Sequence, residues 1–301
     1  MMVYTVTFSP AIDYIVHLDV LSVGGVNRAK STAVFFGGKG INVSMVLKEL
    51  GVSSRALGFV AGFTGAAIEK GVAENGIETD FIHLKDGLSR INVKIKSGSE
   101  TDLNGQGPVI DGASLKMLYE KLDRIQDGDT LVLAGSIPDS MPSDVYESIL
   151  GRLSDRKIKT VVDATKDLLR NVLKYRPFLV KPNHHELGEL FGVTLTSDRE
   201  IANYAEKLKS LGAKNVLVSK AADGALLLDE NGALHTCGVC RGIVKNSVGA
   251  GDSMVAGFLA GAAEGDYEYA LKLGTAAGGA TAFSEGLAKK EDIMNMLQQL
   301  S

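Results

Sequence analysis

The chain has 301 residues, enough for one large α/β domain or two small ones. Its formal net charge of −4 excludes general nucleic-acid binding, which needs a basic face. It also means that an anionic ligand must be held by a few local cations rather than by the overall field. No run of about 18 apolar residues marks a membrane span. The N-terminus lacks a basic stretch leading into a long apolar core, so no signal peptide is expected and the chain reads as cytoplasmic. Its two cysteines, Cys237 and Cys240, form a lone C-x-x-C that His235 does not complete into a metal site, so reduced thiols are expected.

Residues 3–8 are rich in β-branched and aromatic types and predict a first strand. Ser9-Pro10-Ala11-Ile12-Asp13 breaks it, placing Asp13 just past a strand end, where α/β proteins put ligand groups or simply cap a turn. Short strands are expected at 14–20 and 31–36, separated by a Gly24-Gly25 turn. Gly37-Gly38-Lys39-Gly40 then opens a helix that Gly51 closes. This is neither a P-loop, since G-x-x-x-x-G-K-[ST] is absent, nor a full dinucleotide fingerprint, since the third glycine is missing. Lys39 and Asn42 present a cation and an amide at the helix start. Strand, helix and strand follow over 54–84. Residues 88–97 alternate, with Ile91, Val93 and Ile95 on one face and Arg90, Asn92, Lys94 and Lys96 on the other. The polar face fits either a solvated edge strand or a lid that grips phosphate, with Arg90 the best candidate. Residues 101–108 read as a polar loop.

Helices are expected at about 112–125 and 143–154, with strands at 130–134, 159–163 and 178–180. Strands with continuous apolar cores alternating with helices predict a mainly parallel sheet covered on both faces. Asn183-His184-His185-Glu186 opens the next helix. Asn183 is expected as N-cap with Glu186 as its capping partner, or Glu186 orders magnesium-bound water near a nucleotide. Strand 216–219 and the turn 220–224 follow, and the last third is helical at about 250–264, 266–283 and 289–299.

The stretch Asn246-Ser247-Val248-Gly249-Ala250-Gly251-Asp252-Ser253 runs directly into that first helix. Gly249 and Gly251 let successive N–H groups point into one concavity, and the helix start adds its own unpaired donors. The result suits an anion, most plausibly phosphate. A carboxylate beside a phosphate cradle makes sense if Asp252 takes a proton from an attacking hydroxyl. The plainer alternative is a glycine turn with an acid in the first helical turn.

With these pieces placed, the sequence resembles the ribokinase-like carbohydrate kinases of the phosphofructokinase B branch, over nearly its whole length. The resemblance is carried by Gly37-Gly38-Lys39-Gly40-Ile41-Asn42 and by Asn246 through Asp252, in that order and at that separation. It implies a single ribokinase-like α/β domain over 1–301, with a small β-sheet lid from about 11–36 and 86–107. It implies Asp252 as catalytic base, with N–H groups of Gly249, Ala250 and Gly251 as the anion hole. Asp13, Gly38 and Asn42 would meet the sugar, and Lys39 and Arg90 its phosphate. Asn183 and Glu186 would serve magnesium, through water, and the nucleotide phosphates. Ser219, Lys220, Gly224 and Ser247 would contact the nucleotide, and the stretch from Ala277 to Phe283 would line the adenine pocket. The implied reaction is ATP-dependent phosphorylation of fructose 1-phosphate at its 6-hydroxyl, as the motif Arg90–Ile95 and the loop 101–108 indicate. Tagatose 6-phosphate, fructose 6-phosphate and a non-catalytic sugar-phosphate sensor are the alternatives. The open-edged lid suggests a homodimer.

Overall fold

The computed structural model describes residues 1–300. In chain order the strands are β1 (Val3–Thr7), β2 (Ala11–His17), β3 (Ser31–Gly37), β4 (Ser54–Ala61), β5 (Glu78–Thr79), β6 (Ile82–Leu84), β7 (Arg90–Ser97) and β8 (Ser99–Asn104). There follow β9 (Thr130–Ala134), β10 (Lys159–Asp163), β11 (Leu179–Val180), β12 (Asn215–Ser219), β13 (Ala225–Leu228) and β14 (Leu234–Cys237). The main sheet runs β14-β13-β12-β11-β10-β9-β1-β4-β5, with β6 also on β4. It is parallel except for the terminal hairpins β12–β13 and β13–β14. Strands such as β9 and β13 are buried along their whole length, as expected of a sheet sandwiched between helices.

Helices cover both faces. One core joins the sheet to helices at Gly112–Leu122, Val145–Arg152, Lys166–Val172, His184–Phe191 and Asp198–Ser210. The opposite face packs against Lys39–Glu49, Ala250–Gly261, Tyr267–Ala282 and Lys290–Gln298, with Gly62–Glu74 beside them. No helix of the described residues is long and apolar enough to cross a membrane.

The chain passes from β1 to β4 on one side and later returns to β9 on the other. The C-terminal ends of β1 and β9 therefore border a topological switch point, the usual ligand crevice of an α/β sheet. Above it stands a separate four-stranded sheet, β3-β2-β7-β8. At its base Phe36 lies against the helix Gly62–Glu74, so closely that a Cβ on Gly71 would fall 2.1 Å from the ring.

Three expectations need correction. The strand predicted at 14–20 lies at Ala11–His17, so Asp13 sits inside a strand rather than past the end of one. The stretch 101–108, predicted as a polar loop, begins inside β8, which pairs with β7 and sets Glu100 and Asp102 against Lys96 and Lys94. Finally, β7 is no solvated edge. It lies between β2 and β8, and its polar face is the buried one: Asn92 and Lys94 are 6% and 7% exposed, while Ile91 is 41% exposed.

Candidate active site

Asp252 occupies the first turn of the helix Ala250–Gly261 and is 5% exposed. Gly249 caps that helix with φ +81°, a left-handed conformation that glycine adopts without strain. The N–H groups of Gly249 and Gly251 form no hydrogen bond with the described residues, whereas Ala250 N donates to Ser247 O at 3.2 Å. Two of the three expected anion-hole donors thus stand ready, and the third is turned back on its own loop. Asn42, from the helix Lys39–Glu49, donates from Nδ2 to Asp252 Oδ2 at 2.8 Å. Its Oδ1 flanks Gly37 together with Asp13 Oδ2.

Behind Asp252 lies a charge cluster with members absent from the sequence reading. Asp163, the last residue of β10, pairs with Lys39 at 3.1 Å and with Lys181 at 3.6 Å. Lys181 directly follows β11 and is buried, and its Nζ would stand 3.1 Å from a Cβ on Gly251. It therefore packs close to Gly251. Both residues end parallel strands, a position that marks ligand groups and that was the available signal. Burial and the nearby Asp163 charge push the Asp252 carboxyl up to about 6, against the pull of Asn42, Lys39 and Lys181. Burial also penalises the Asp163 anion, but Lys181 and Lys39 outweigh it and hold that carboxyl below the usual range. Lys39 likewise keeps its proton more tightly than usual: burial opposes the charge, and Asp163, Asp252 and Glu186 more than compensate.

On the lid, Asn92 Nδ2 donates to Asp13 Oδ1 at 2.9 Å. Two buried polar atoms on the same face lack partners, Asn92 Oδ1 and Arg90 Nε. Such buried orphans call for a polar partner that the described residues do not supply. Asp13, Asn42, Lys94, Asn246 and Val248 line a cleft of about 540 Å³ between lid and body. Lys39, Arg90 and Asp252 do not line that cleft. Gly38, with φ +126°, faces its own chain: a Cβ would strike Thr7 Cγ2 at 2.4 Å, so its side-chain absence is needed for the turn itself.

Asn183 and Glu186 form a reciprocal capping box, Glu186 N to Asn183 Oδ1 and Asn183 N to Glu186 Oε2, both 2.8 Å. Asn183 also bridges to Ser219 in parallel. Lys220 is buried and paired with Asp198 at 2.8 Å, and Gly224 must be glycine because a Cβ would meet Cys237 O at 2.1 Å. Gly274 and Gly278 admit the backbone of Ala250–Gly261, so helix packing accounts for them, while Gly279 faces Cys240. Cys237 and Cys240 are free and buried, and burial pushes the Cys240 thiol up to about 11. Among the described residues no group of three or more His, Cys, Asp or Glu side chains could hold a metal by itself.

A switch-point crevice, a glycine nest at a helix start, a buried carboxylate and a polar lid are parts that phosphoryl transfer requires. The pfkB family carbohydrate kinase pattern matches residues 6–293, and the chain belongs to that family. It is 48% identical over 300 residues to the 1-phosphofructokinase of Bacillus subtilis (strain 168), covering 99% of this chain and 98% of that protein. It is 38% identical over 288 residues to a D-tagatose-1-phosphate kinase of Bacillus licheniformis, covering 95% and 94%. Among solved structures, a putative phosphofructokinase from Staphylococcus aureus matches with TM-score 0.89 and 42% identity, covering 99% of this chain and 97% of that one.

Proposed function

We propose that the protein transfers the γ-phosphoryl group of ATP to the 6-hydroxyl of fructose 1-phosphate, giving fructose 1,6-bisphosphate and ADP. The observation that carries the reading is Asp252, a buried carboxylate held by Asn42 at the mouth of the Gly249 nest. In this reaction Asp252 takes the hydroxyl proton as the oxygen bonds to the γ-phosphorus and the bond to the β-phosphate oxygen breaks. A carboxyl raised to about 6 is still ionised at neutral pH yet basic enough for the task. Free N–H groups of Gly249 and Gly251, with Lys181 close to Gly251, meet the developing charge on the transferring group. Asp13, Asn92 and Asn42 orient the sugar, and Arg90 with its unpartnered Nε grips the phosphate already on it. The lid excludes water, which would otherwise accept the phosphoryl group.

The donor set fits magnesium bound chiefly through phosphates and water, since Glu186 keeps one carboxylate oxygen outside its capping box. Glu186 would order that water, and the metal would supply neutralisation of phosphate charge. The exposed apolar face of the lid, with Tyr14, Val34, Ile91 and Leu103, supports a homodimer through that sheet. Reduced buried thiols and phosphorylated substrates fit a cytoplasmic enzyme.

Because one relative is a tagatose-1-phosphate kinase, tagatose 1-phosphate is the second reading; it carries its phosphate at the same carbon as fructose 1-phosphate. Initial rates of ADP release should be compared for fructose 1-phosphate, tagatose 1-phosphate, fructose 6-phosphate and tagatose 6-phosphate. The highest kcat/KM is expected for fructose 1-phosphate. A preference for either 6-phosphate would reject the assignment of the phosphate to the Arg90 end.

A further inference from the structure

Lys94 has no part in the assignment above, yet it shares the buried face of β7 with Arg90 and Asn92. Its side chain is 9% exposed, and its Nζ makes no hydrogen bond with the described residues. The nearest carboxylate, Asp102 Oδ2 across in β8, stays 3.9 Å away and is itself 42% exposed. A lysine side chain buried to this degree ordinarily has a close counter-charge for its ammonium tip. Lys94 instead lines the same cleft as Asn246 and Val248, which in sequence lead directly into the Gly249–Gly251 nest.

The strand register gives Lys94 a direction. Parallel pairing with β2 sets Arg90 opposite Ala11, Asn92 opposite Asp13 and Lys94 opposite Ile15. Arg90 and Lys94 therefore bracket the Asp13–Asn92 pair, their Cα atoms roughly 13 Å apart along the strand. Two residues further on the same face, Lys96 Nζ donates to Lys245 O at 3.3 Å. The outer end of β7 is thus tied to the loop that feeds the nest, on the far side of Asp13 from Arg90.

We infer that Lys94 is a specificity-determining residue for the phosphoryl donor, contacting the terminal phosphate of a nucleoside triphosphate seated at the Gly249–Gly251 nest. The inference rests on the kinase reading and adds a division of labour along one strand. Arg90 reads the acceptor's phosphate, and Lys94 distinguishes a triphosphate from a diphosphate. Once the γ-phosphoryl group has moved to the sugar, the remaining diphosphate lacks this contact with the lid.

The test is equilibrium calorimetry on Lys94→Met and Lys94→Arg, with the β,γ-imido analogue of ATP, with ADP, and with fructose 1-phosphate, all with magnesium. Loss of one charge-assisted contact should weaken the triphosphate analogue about ten-fold in Lys94→Met and leave ADP and fructose 1-phosphate within about two-fold, with Lys94→Arg restoring most of the loss. Equal losses for analogue and ADP, a loss confined to fructose 1-phosphate, or no loss at all would overturn the inference. Lys94→Gln provides the same readout if the methionine variant does not fold. If the wild-type protein ignores fructose 1-phosphate while Lys94→Met still shows the triphosphate-specific loss, the acceptor assignment alone is rejected.

Discussion

Replacing Asn42 by alanine removes the 2.8 Å hydrogen bond to Asp252 Oδ2 while leaving the nest and the charge cluster in place. That bond favours the carboxylate over the carboxylic acid, so its loss must raise the Asp252 pKa. A hydrogen bond to a charged group is worth about 1.5 kcal/mol at the low end, which is about one pKa unit. The carboxyl, already pushed up to about 6 by burial and Asp163, then titrates near neutrality. At about pH 6.5 the ionised fraction falls from roughly three quarters to roughly one quarter for a one-unit rise. The assay is the pH profile of kcat/KM between about pH 5 and 9, whose acid limb reports the base of the free enzyme. Asn42 also faces the sugar, so absolute rates will fall for a second reason, and the position of the limb is the informative quantity. An acid limb that stays in place, or moves to lower pH, would show that Asn42 does not hold down the Asp252 pKa.

Asp252→Asn is expected to lower kcat by at least about 100-fold with modest changes in substrate binding, measured by steady-state kinetics and by calorimetry. Arg90→Ala should raise the KM for the sugar phosphate more than that for ATP; equal losses would count against its assignment. Asp163→Asn strands the buried Lys181 without its partner, and chemical denaturation should show about 3 kcal/mol less stability.

The fold was legible because its signals are repetitive. Short apolar runs such as Thr130–Ala134, bounded by turn signals, favour a buried strand, and Gly51 and Gly76 stop helices where left-handed backbone is needed. β8 escaped because Ser99–Asn104 is polar: it is stabilised by its ladder with β7 and by facing lysines, not by apolar burial. The outer bounds of β2 were misjudged because a proline precedes it and Asp13 resembles a turn residue, while its pairing with β3 and β7 decides the matter.

Residues that act through chain-local geometry were readable: the Gly249 nest, Asp252, and the Asn183–Glu186 box. Asp163 and Lys181 were not, because each takes its meaning from a partner far away in sequence. Lys39 pairs with Asp163 across 124 residues, which ties it to the charge cluster beside Asp252. Likewise, nothing local says that the lysine face of β7 turns inward. That follows only from the lid lying over the body of the protein.

The most direct test of the central claim is the identity of the product. The purified protein is incubated with ATP, magnesium and fructose 1-phosphate, and the sugar is followed by phosphorus NMR. The account predicts a second phosphate ester at carbon 6, formed in step with ADP and lost in Asp252→Asn. Turnover of ATP to free inorganic phosphate, or no second ester on fructose 1-phosphate while another sugar phosphate is consumed, would contradict it.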